Sequence, residues 1–208
     1  MSDQDAAIEA GRLLFAQTAA FERGAARGED MPEADLPEIA FAGRSNVGKS
    51  SLVNALTGRR ALARASSEPG RTRELNFFRL GERLRLVDLP GYGFARAPKT
   101  EIARWTALTR DYLRGRVSLK RVFVLVDSRQ GLMTNDAAIL DMLDASAQSY
   151  QIVLTKADKP RPGELAEREA GVAAAVARRP AAHPVVLVTS AEDGRGLDVL
   201  RAEIAALA

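Results

Sequence analysis

Residues Gly43-Arg44-Ser45-Asn46-Val47-Gly48-Lys49-Ser50 match the pattern G-x-x-x-x-G-K-[ST] in full. Glycines at both ends let the main chain wrap closely around phosphate oxygens. Successive N–H groups and the start of a helix supply partial positive charge there. Lys49 is expected to reach the β- and γ-phosphates, and Ser50 to ligate Mg²⁺. The apolar run Ile39–Ala42 precedes the loop and a helical pattern from Ser50 to Thr57 follows it, which is the context the pattern requires. This specifies nucleoside triphosphate binding, but neither the base nor the reaction.

Further chemistry lies after other apolar runs. Asp88-Leu89-Pro90-Gly91 follows Leu84–Val87, with an acid suited to hold Mg²⁺ through water and a glycine N–H suited to touch a γ-phosphate. Asp-x-x-Gly alone is an ordinary turn; its position behind a phosphate loop and a strand makes it specific. Between the two lies Pro69-Gly70-Arg71-Thr72-Arg73, where Thr72 offers a second hydroxyl to Mg²⁺. Lys49, Thr72 and Gly91 are thus expected to act at the reacting phosphate. Thr155-Lys156-Ala157-Asp158 follows Ile152–Leu154. A carboxylate at Asp158 accepts from the N1–H and exocyclic amine of guanine, a pair that adenine lacks, and the stem of Lys156 suits the flat face of a base. Thr189-Ser190-Ala191 comes last, with the Ala191 N–H placed to meet the guanine O6.

Composition removes many alternatives. The chain has 208 residues, no cysteine and one histidine, His183. Disulfides, thiolate metal sites, cysteine nucleophiles and histidine triads are therefore excluded or nearly so. The net charge of +3 permits an acidic partner without demanding one. No stretch is long and apolar enough to span a membrane, and the opening Met1-Ser2-Asp3-Gln4-Asp5 is acidic, unlike the basic start of a secretory signal. A cytoplasmic location is expected.

These residues need elements to position them. Short apolar runs alternate with helical patterns from Glu38 onward: Ile39–Ala42, Leu75–Leu80, Leu84–Asp88, Val122–Val126, Ile152–Leu154 and Val185–Val188 read as strands. Helices are expected after the phosphate loop, from Pro98 (carrying Ile102, Trp105, Leu108 and Tyr112 inward), from Thr134 as cap, over Glu164–Arg179 and over Leu197–Leu207. The expectation is a three-layer α/β fold with a six-stranded, mostly parallel sheet and one antiparallel edge strand from the Leu75–Asp88 hairpin. In such folds ligands bind beyond the carboxyl ends of the strands, where these motifs fall. Residues Asp5–Arg23 read as a helix and Gly24–Pro37 as a linker, so the division is an appendage over 1–37 and a nucleotide-binding domain over 38–208.

The order of these elements resembles the translation-factor-type GTPases. The fuller strings, Phe41-Ala-Gly-Arg-Ser-Asn-Val-Gly-Lys-Ser-Ser-Leu52 with Asn54-Ala55-Leu56, Pro69-Gly-Arg-Thr72, Asp88-Leu-Pro-Gly-Tyr-Gly-Phe94 and Leu154-Thr-Lys-Ala-Asp-Lys159, closely resemble the bacterial EngB family, also called YihA or YsxC. The resemblance runs from about Leu36 to the C-terminus. It implies a Ras-like P-loop GTPase fold, GTP and Mg²⁺ binding, and a role in large-ribosomal-subunit assembly linked to normal division-septum formation. By the same likeness, Gly43–Ser50 bind phosphates, Ser50 and Thr72 with Asp88 serve Mg²⁺, Gly70–Arg73 and Asp88–Gly91 are the switch segments, and Thr155–Asp158 with Thr189–Ala191 bind guanine. A monomer is expected, with the large subunit or its rRNA as partner.

Departures carry their own expectations. Ras-type enzymes place a water-orienting glutamine directly after the switch glycine; here it is Tyr92, so unassisted hydrolysis should be slow. Asn46 stands where some related GTPases hold K⁺ beside the phosphates, which suggests K⁺ stimulation. Thr155 replaces the usual asparagine and has fewer polar atoms to tie the base loop to the phosphate loop, so affinity should be micromolar. Arg59, Arg60, Arg64, Arg71, Arg73 and Arg79, then Arg104, Arg110, Arg114, Arg116, Lys120 and Arg121, flank the two switches and suit RNA phosphates. Two other readings stay open: a nucleotide-gated binding module in which hydrolysis is incidental, and a P-loop kinase, which does not account for Thr155–Asp158.

Overall fold

The computed structural model describes residues 2–63, 74–92 and 99–208. Helix α1 (Asp3–Phe15) starts at a reciprocal cap between Ser2 and Asp5 and ends at Ala16. Strand β1 (Ala19–Ala25) and a short 3₁₀ turn (Gly28–Asp30) follow. The chain then runs through β2 (Glu38–Gly43), α2 (Lys49–Thr57), β3 (Leu75–Leu80), β4 (Leu84–Asp88), α3 (Lys99–Gly115) and β5 (Leu119–Asp127). It closes with α4 (Thr134–Ala145), β6 (Tyr150–Thr155), α5 (Pro162–Val176), β7 (Leu187–Val188) and α6 (Leu197–Ala205).

The strands form one sheet in the order β1-β3-β4-β2-β5-β6-β7. The pairs among β4, β2, β5, β6 and β7 are parallel; β3 is antiparallel to both of its neighbours. Alternate residues face opposite layers, as the two-residue period of a strand requires. On β5, Val122, Val124 and Val126 face Leu108 and Tyr112 of α3, Leu140 and Leu143 of α4, and Val172 and Val176 of α5. Phe123 and Leu125 face the other layer, built on Leu14 and Phe15 of α1, Leu52 and Leu56 of α2, and Leu200 and Ile204 of α6. Strands buried on both faces explain the uninterrupted apolar runs.

Two expectations are corrected. Among the described residues the sheet has seven strands, not six, and the antiparallel strand β3 is second from the edge because β1 covers it. The helix expected over Asp5–Arg23 stops at Phe15, and residues 19–25 are strand. Alanine, glutamate and arginine in Ala19–Ala25 favour a helix by propensity, and only its two end alanines are buried, so no alternation marks it as a strand. The unpaired edge of β3 overrides that preference by pairing Ala19 with Leu80 through to Ala25 with Leu75.

The segment is also held by charge. Arg85 on β4 is buried, yet it donates to Glu22 of β1 at 2.7 Å, to the Glu33 carbonyl at 2.8 Å and to Asp35 at 2.5 Å. Beside it, the buried Glu38 accepts from the Tyr112 hydroxyl at 2.9 Å and from Arg116. Arg116 also donates to the Glu33 carbonyl at 3.2 Å. Helix α1 lies close enough on α6 that a Cβ on Gly11 would meet the Ala202 nitrogen at 2.6 Å.

Candidate functional site

The expected residues converge where the parallel strands end. Strand β2 runs out at Gly43, β4 at Asp88, β5 at Asp127, β6 at Thr155 and β7 at Val188. The phosphate-loop residues Gly43, Arg44, Ser45, Asn46, Val47 and Gly48 span β2 to α2, which begins at Lys49 and Ser50. Asn46 has φ 63° and Gly48 φ 101°, left-handed backbone that a tight phosphate-wrapping turn demands. The Lys49 amine is ion-paired with the Asp88 carboxylate, both nearly buried. Leu89 and Pro90 carry the chain on to Gly91, where a Cβ would lie 3.6 Å from Ser45 N, so the switch glycine passes close to the loop.

Tyr92 lies against the phosphate loop. Its N–H donates to the Gly43 carbonyl at 3.3 Å, and its carbonyl accepts from the Ser45 N–H at 3.2 Å. Its hydroxyl points the other way and donates to Asp136 at 2.9 Å. Burial, then the charge of Asp136, pushes the phenol well above its ordinary range, so it stays protonated as a donor.

The base loop is tied in by two contacts. Thr155 Oγ1 donates to the Val47 carbonyl at 2.7 Å, and Lys156 Nζ donates to the Asn46 carbonyl at 2.6 Å. Lys156 also pairs with Asp127 at 2.9 Å, and Arg129 grips the same carboxylate at 2.7 Å. Burial opposes the charge on Asp127, but the hydrogen bonds from Arg129 and Lys156 outweigh it and bring its pKa down to about 2. These groups edge a cavity of about 230 Å³ bounded by residues 44–47, Asp127, Arg129, Gln130 and Lys156.

Asp158 accepts from the Lys159 amine at 2.8 Å and from Ser190 Oγ at 2.7 Å, which together hold its carboxyl below the usual range and charged. The Ala157 N–H donates to the Thr189 carbonyl at 3.1 Å, joining the base loop to the loop Thr189–Ala191. Thr189 is anchored in turn by its hydroxyl on the Leu154 carbonyl at 2.9 Å. Gly70, Arg71, Thr72 and Arg73 lie outside the described residues, as does Arg64.

The arginine clusters read from the sequence divide. Arg59, Arg60, Arg104, Arg110, Arg114 and Lys120 are exposed. Arg79 is engaged with Glu82, Arg116 with Glu38, and Arg121 with Glu203 and Gln151, so these three bind the fold itself. Tyr112 is core, as its stripe predicted, while Trp105 is half-exposed and Ile102 exposed.

Two neighbours of the site carry roles that sequence reasoning does not assign: Asp136, which it does not single out, and Asn54, which it quotes only within a motif. Asp136 sits in the first turn of α4, where Thr134 had been read as the cap; its Oδ2 takes the Met133 N–H at 2.8 Å. An acid three residues after the helix entry was the available signal. Asn54 clasps both main-chain groups of Ala63, at 3.0 and 2.9 Å, and so holds the chain just before residue 64.

Comparison with known proteins supplies the rest. A family model described as 50S ribosome-binding GTPase matches residues 38–156. The probable GTP-binding protein EngB of Rhodospirillum rubrum is 58% identical over 207 residues, covering 97% of this chain and 90% of that protein. Its counterpart in Caulobacter vibrioides is 58% identical over 200 residues, covering 96% and 87%. The crystal structure of a probable GTP-binding protein EngB superposes with a TM-score of 0.64 at 24% identity, covering 82% of this chain and 97% of that one. An Era variant from Aquifex aeolicus with bound GDP and aluminium fluoride gives 0.63 at 18% identity, covering 83% and 57%. At these identities the two structures speak for the fold alone.

Proposed function

The chain belongs to the EngB family of GTP-binding proteins, which are GTPases, and from that premise we propose that it is a slowly hydrolysing switch assisting large-ribosomal-subunit assembly, linked to septation. The observation that carries this reading is the convergence of Gly43–Ser50, Asp88–Gly91, Thr155–Asp158 and Thr189–Ala191 beyond the strand ends. In it, the N–H groups of Arg44–Ser50 and the Lys49 amine hold the phosphates, and the Gly91 N–H meets the γ-phosphate. Asp158 and the Ala191 N–H select guanine, with Lys156 over the base. The nucleotide-binding unit is residues 38–208, with 1–37 completing the sheet edge.

The donors suit Mg²⁺. Ser50 opens α2 and Asp88 closes β4, both hard oxygen ligands, with Thr72 as a third outside the described residues. When bound, Mg²⁺ neutralises charge on the β- and γ-phosphates. K⁺ beside Asn46 is tested by rates in matched Na⁺ and K⁺ buffers.

Slow hydrolysis is supported by the Tyr92 hydroxyl being committed to Asp136, so the residue after the switch glycine offers nothing to orient water. That same observation favours a second reading, a nucleotide-gated ribosome-binding module in which hydrolysis is incidental. A variant that binds GTP but cannot hydrolyse it separates them: continued function in cells selects the module. Among the described residues no helix is long and apolar enough to cross a membrane, and a cytoplasmic monomer fits the proposed partner. The deciding experiment is co-sedimentation with ribosomal subunits in GTP-analogue, GDP and nucleotide-free states across a salt series. Binding to the large subunit in one nucleotide state, weakening steeply with salt, is expected.

A further inference from the structure

Asp136 is a carboxylate in a place where capping alone does not require one to be buried. It is 1% exposed, and it gathers two hydrogen-bond donors and one guanidinium from three separate parts of the chain. Oδ2 takes the Met133 N–H at 2.8 Å. Oδ1 takes the Tyr92 hydroxyl at 2.9 Å, and Arg44 Nε lies 3.4 Å from the same oxygen. An exposed acid at this position would accept the Met133 N–H equally well, so capping does not account for the burial. Two of the three partners come instead from the nucleotide loops, a hydroxyl donor on the residue that follows the switch glycine and an ion-paired guanidinium within the phosphate loop.

Tyr92 is consequently held at both ends. Its main chain is stitched to Gly43 and Ser45, and its ring packs against the core layer that contains α3 and α4. The hydroxyl then fixes the ring to Asp136. Arg44 is held similarly: its far nitrogen donates to Gln130 at 2.6 Å while Nε faces Asp136. The Tyr92 hydrogen bond to the buried carboxylate is charge-assisted and directional, while Arg44 adds an ion pair at longer range.

We propose that Asp136 is a positioning residue for GTP hydrolysis: through Tyr92 it sets the Gly91 main chain against the γ-phosphate, and through Arg44 it steadies the phosphate loop. Asp136 touches no reacting atom in this scheme. The proposal rests on the GTPase reading above and deepens it. Because Gly91 meets only the γ-phosphate, the contact acts on hydrolysis and on GTP, and GDP is indifferent to it.

The test is Tyr92→Phe in the full chain, which keeps the ring and deletes the hydroxyl. Single-turnover hydrolysis is measured on the nucleotide-bound fraction after gel filtration, so misfolded material does not count, and GDP affinity is titrated in parallel. Loss of one hydrogen bond to a charged group predicts a rate lower by about tenfold, with GDP affinity unchanged within about threefold. Asp136→Asn is then added to both backgrounds. If Asp136 acts through Tyr92, it slows the wild type but slows the Tyr92→Phe variant far less. A purely structural role lowers the melting temperature and leaves the rate of the bound fraction unchanged; that result overturns the proposal while leaving the GTPase reading intact. A wild-type chain that binds no guanine nucleotide overturns the GTPase reading and the positioning role with it.

Discussion

The hydroxyl of Thr155 donates to the carbonyl of Val47 at 2.7 Å, joining the base loop to the phosphate loop across 108 positions of sequence. The same hydroxyl lies 3.3 Å from the Val126 carbonyl. A threonine thus makes the tie that the asparagine of other GTPases is placed to make, through one oxygen and on a buried side chain. The link to the phosphate loop that the smaller polar inventory put in question is therefore present.

Thr155→Val keeps the shape of the side chain and removes that donor. The buried Val47 carbonyl loses its partner, which costs about 1–3 kcal/mol. Guanine nucleotide affinity is expected to fall about tenfold, GTP and GDP alike, since both loops are used by either. Titration with a fluorescent nucleotide measures it; equal affinities for variant and wild type would show that the tie is dispensable.

Asp158→Asn exchanges one of two acceptor oxygens for a donor, and removes the charge, at the position proposed to read the N1–H and amine of guanine. Binding of GTP is expected to drop at least about a hundredfold, because one of the two hydrogen bonds is lost, the other loses its charge, and a donor now faces a donor. Xanthine nucleotides, which carry a carbonyl in place of the amine, should gain. Competition between GTP and XTP checks both directions, and unchanged GTP preference would remove Asp158 from base recognition.

Asp127 makes a pH prediction. Its folded pKa of about 2 lies below the ordinary carboxylate value, so it contributes stability that is fully present above that ordinary value and is lost as pH falls through about 2. Asp127→Asn removes this contribution. Melting temperatures of wild type and variant should differ by a constant amount above about pH 5 and converge between about pH 4 and 2. Parallel curves down to pH 2 would contradict the assignment.

Arg85→Met tests how firmly the first strand is held. The substitution keeps much of the volume and deletes a buried cation that Glu22 and Asp35 share. Removing one member of a buried ionic cluster costs about 3–5 kcal/mol, less where its partners can reach water, as Asp35 can. The melting temperature is expected to fall by several degrees, about 2–4 °C per kcal/mol for a chain of this size. Hydrogen exchange should quicken first in residues 19–38. Exchange unchanged there would mean that backbone pairing with β3 suffices.

The legible parts of this protein are those whose chemistry is built on the main chain. A phosphate loop works through N–H groups and two glycine-like turns, so Gly43–Ser50 announces itself by spacing alone. The buried parallel strands announce themselves by unbroken apolar runs such as Val122–Val126. The +3 charge was less informative than its arginines suggested, because Arg116 and Arg121 turn inward to acids distant in sequence and Arg79 pairs with Glu82 across an exposed turn.

The remaining features depend on partners brought from far along the chain. Ala19–Ala25 has the propensities of a helix and becomes a strand because β3 presents an open edge. Tyr92 was read from sequence as an absence, a missing glutamine; its hydroxyl has a specific destination, 44 residues away on α4. Local spacing encodes which backbone will curl around a phosphate. It does not encode which side chain will be buried beside which, since that follows from packing two helical layers on one sheet.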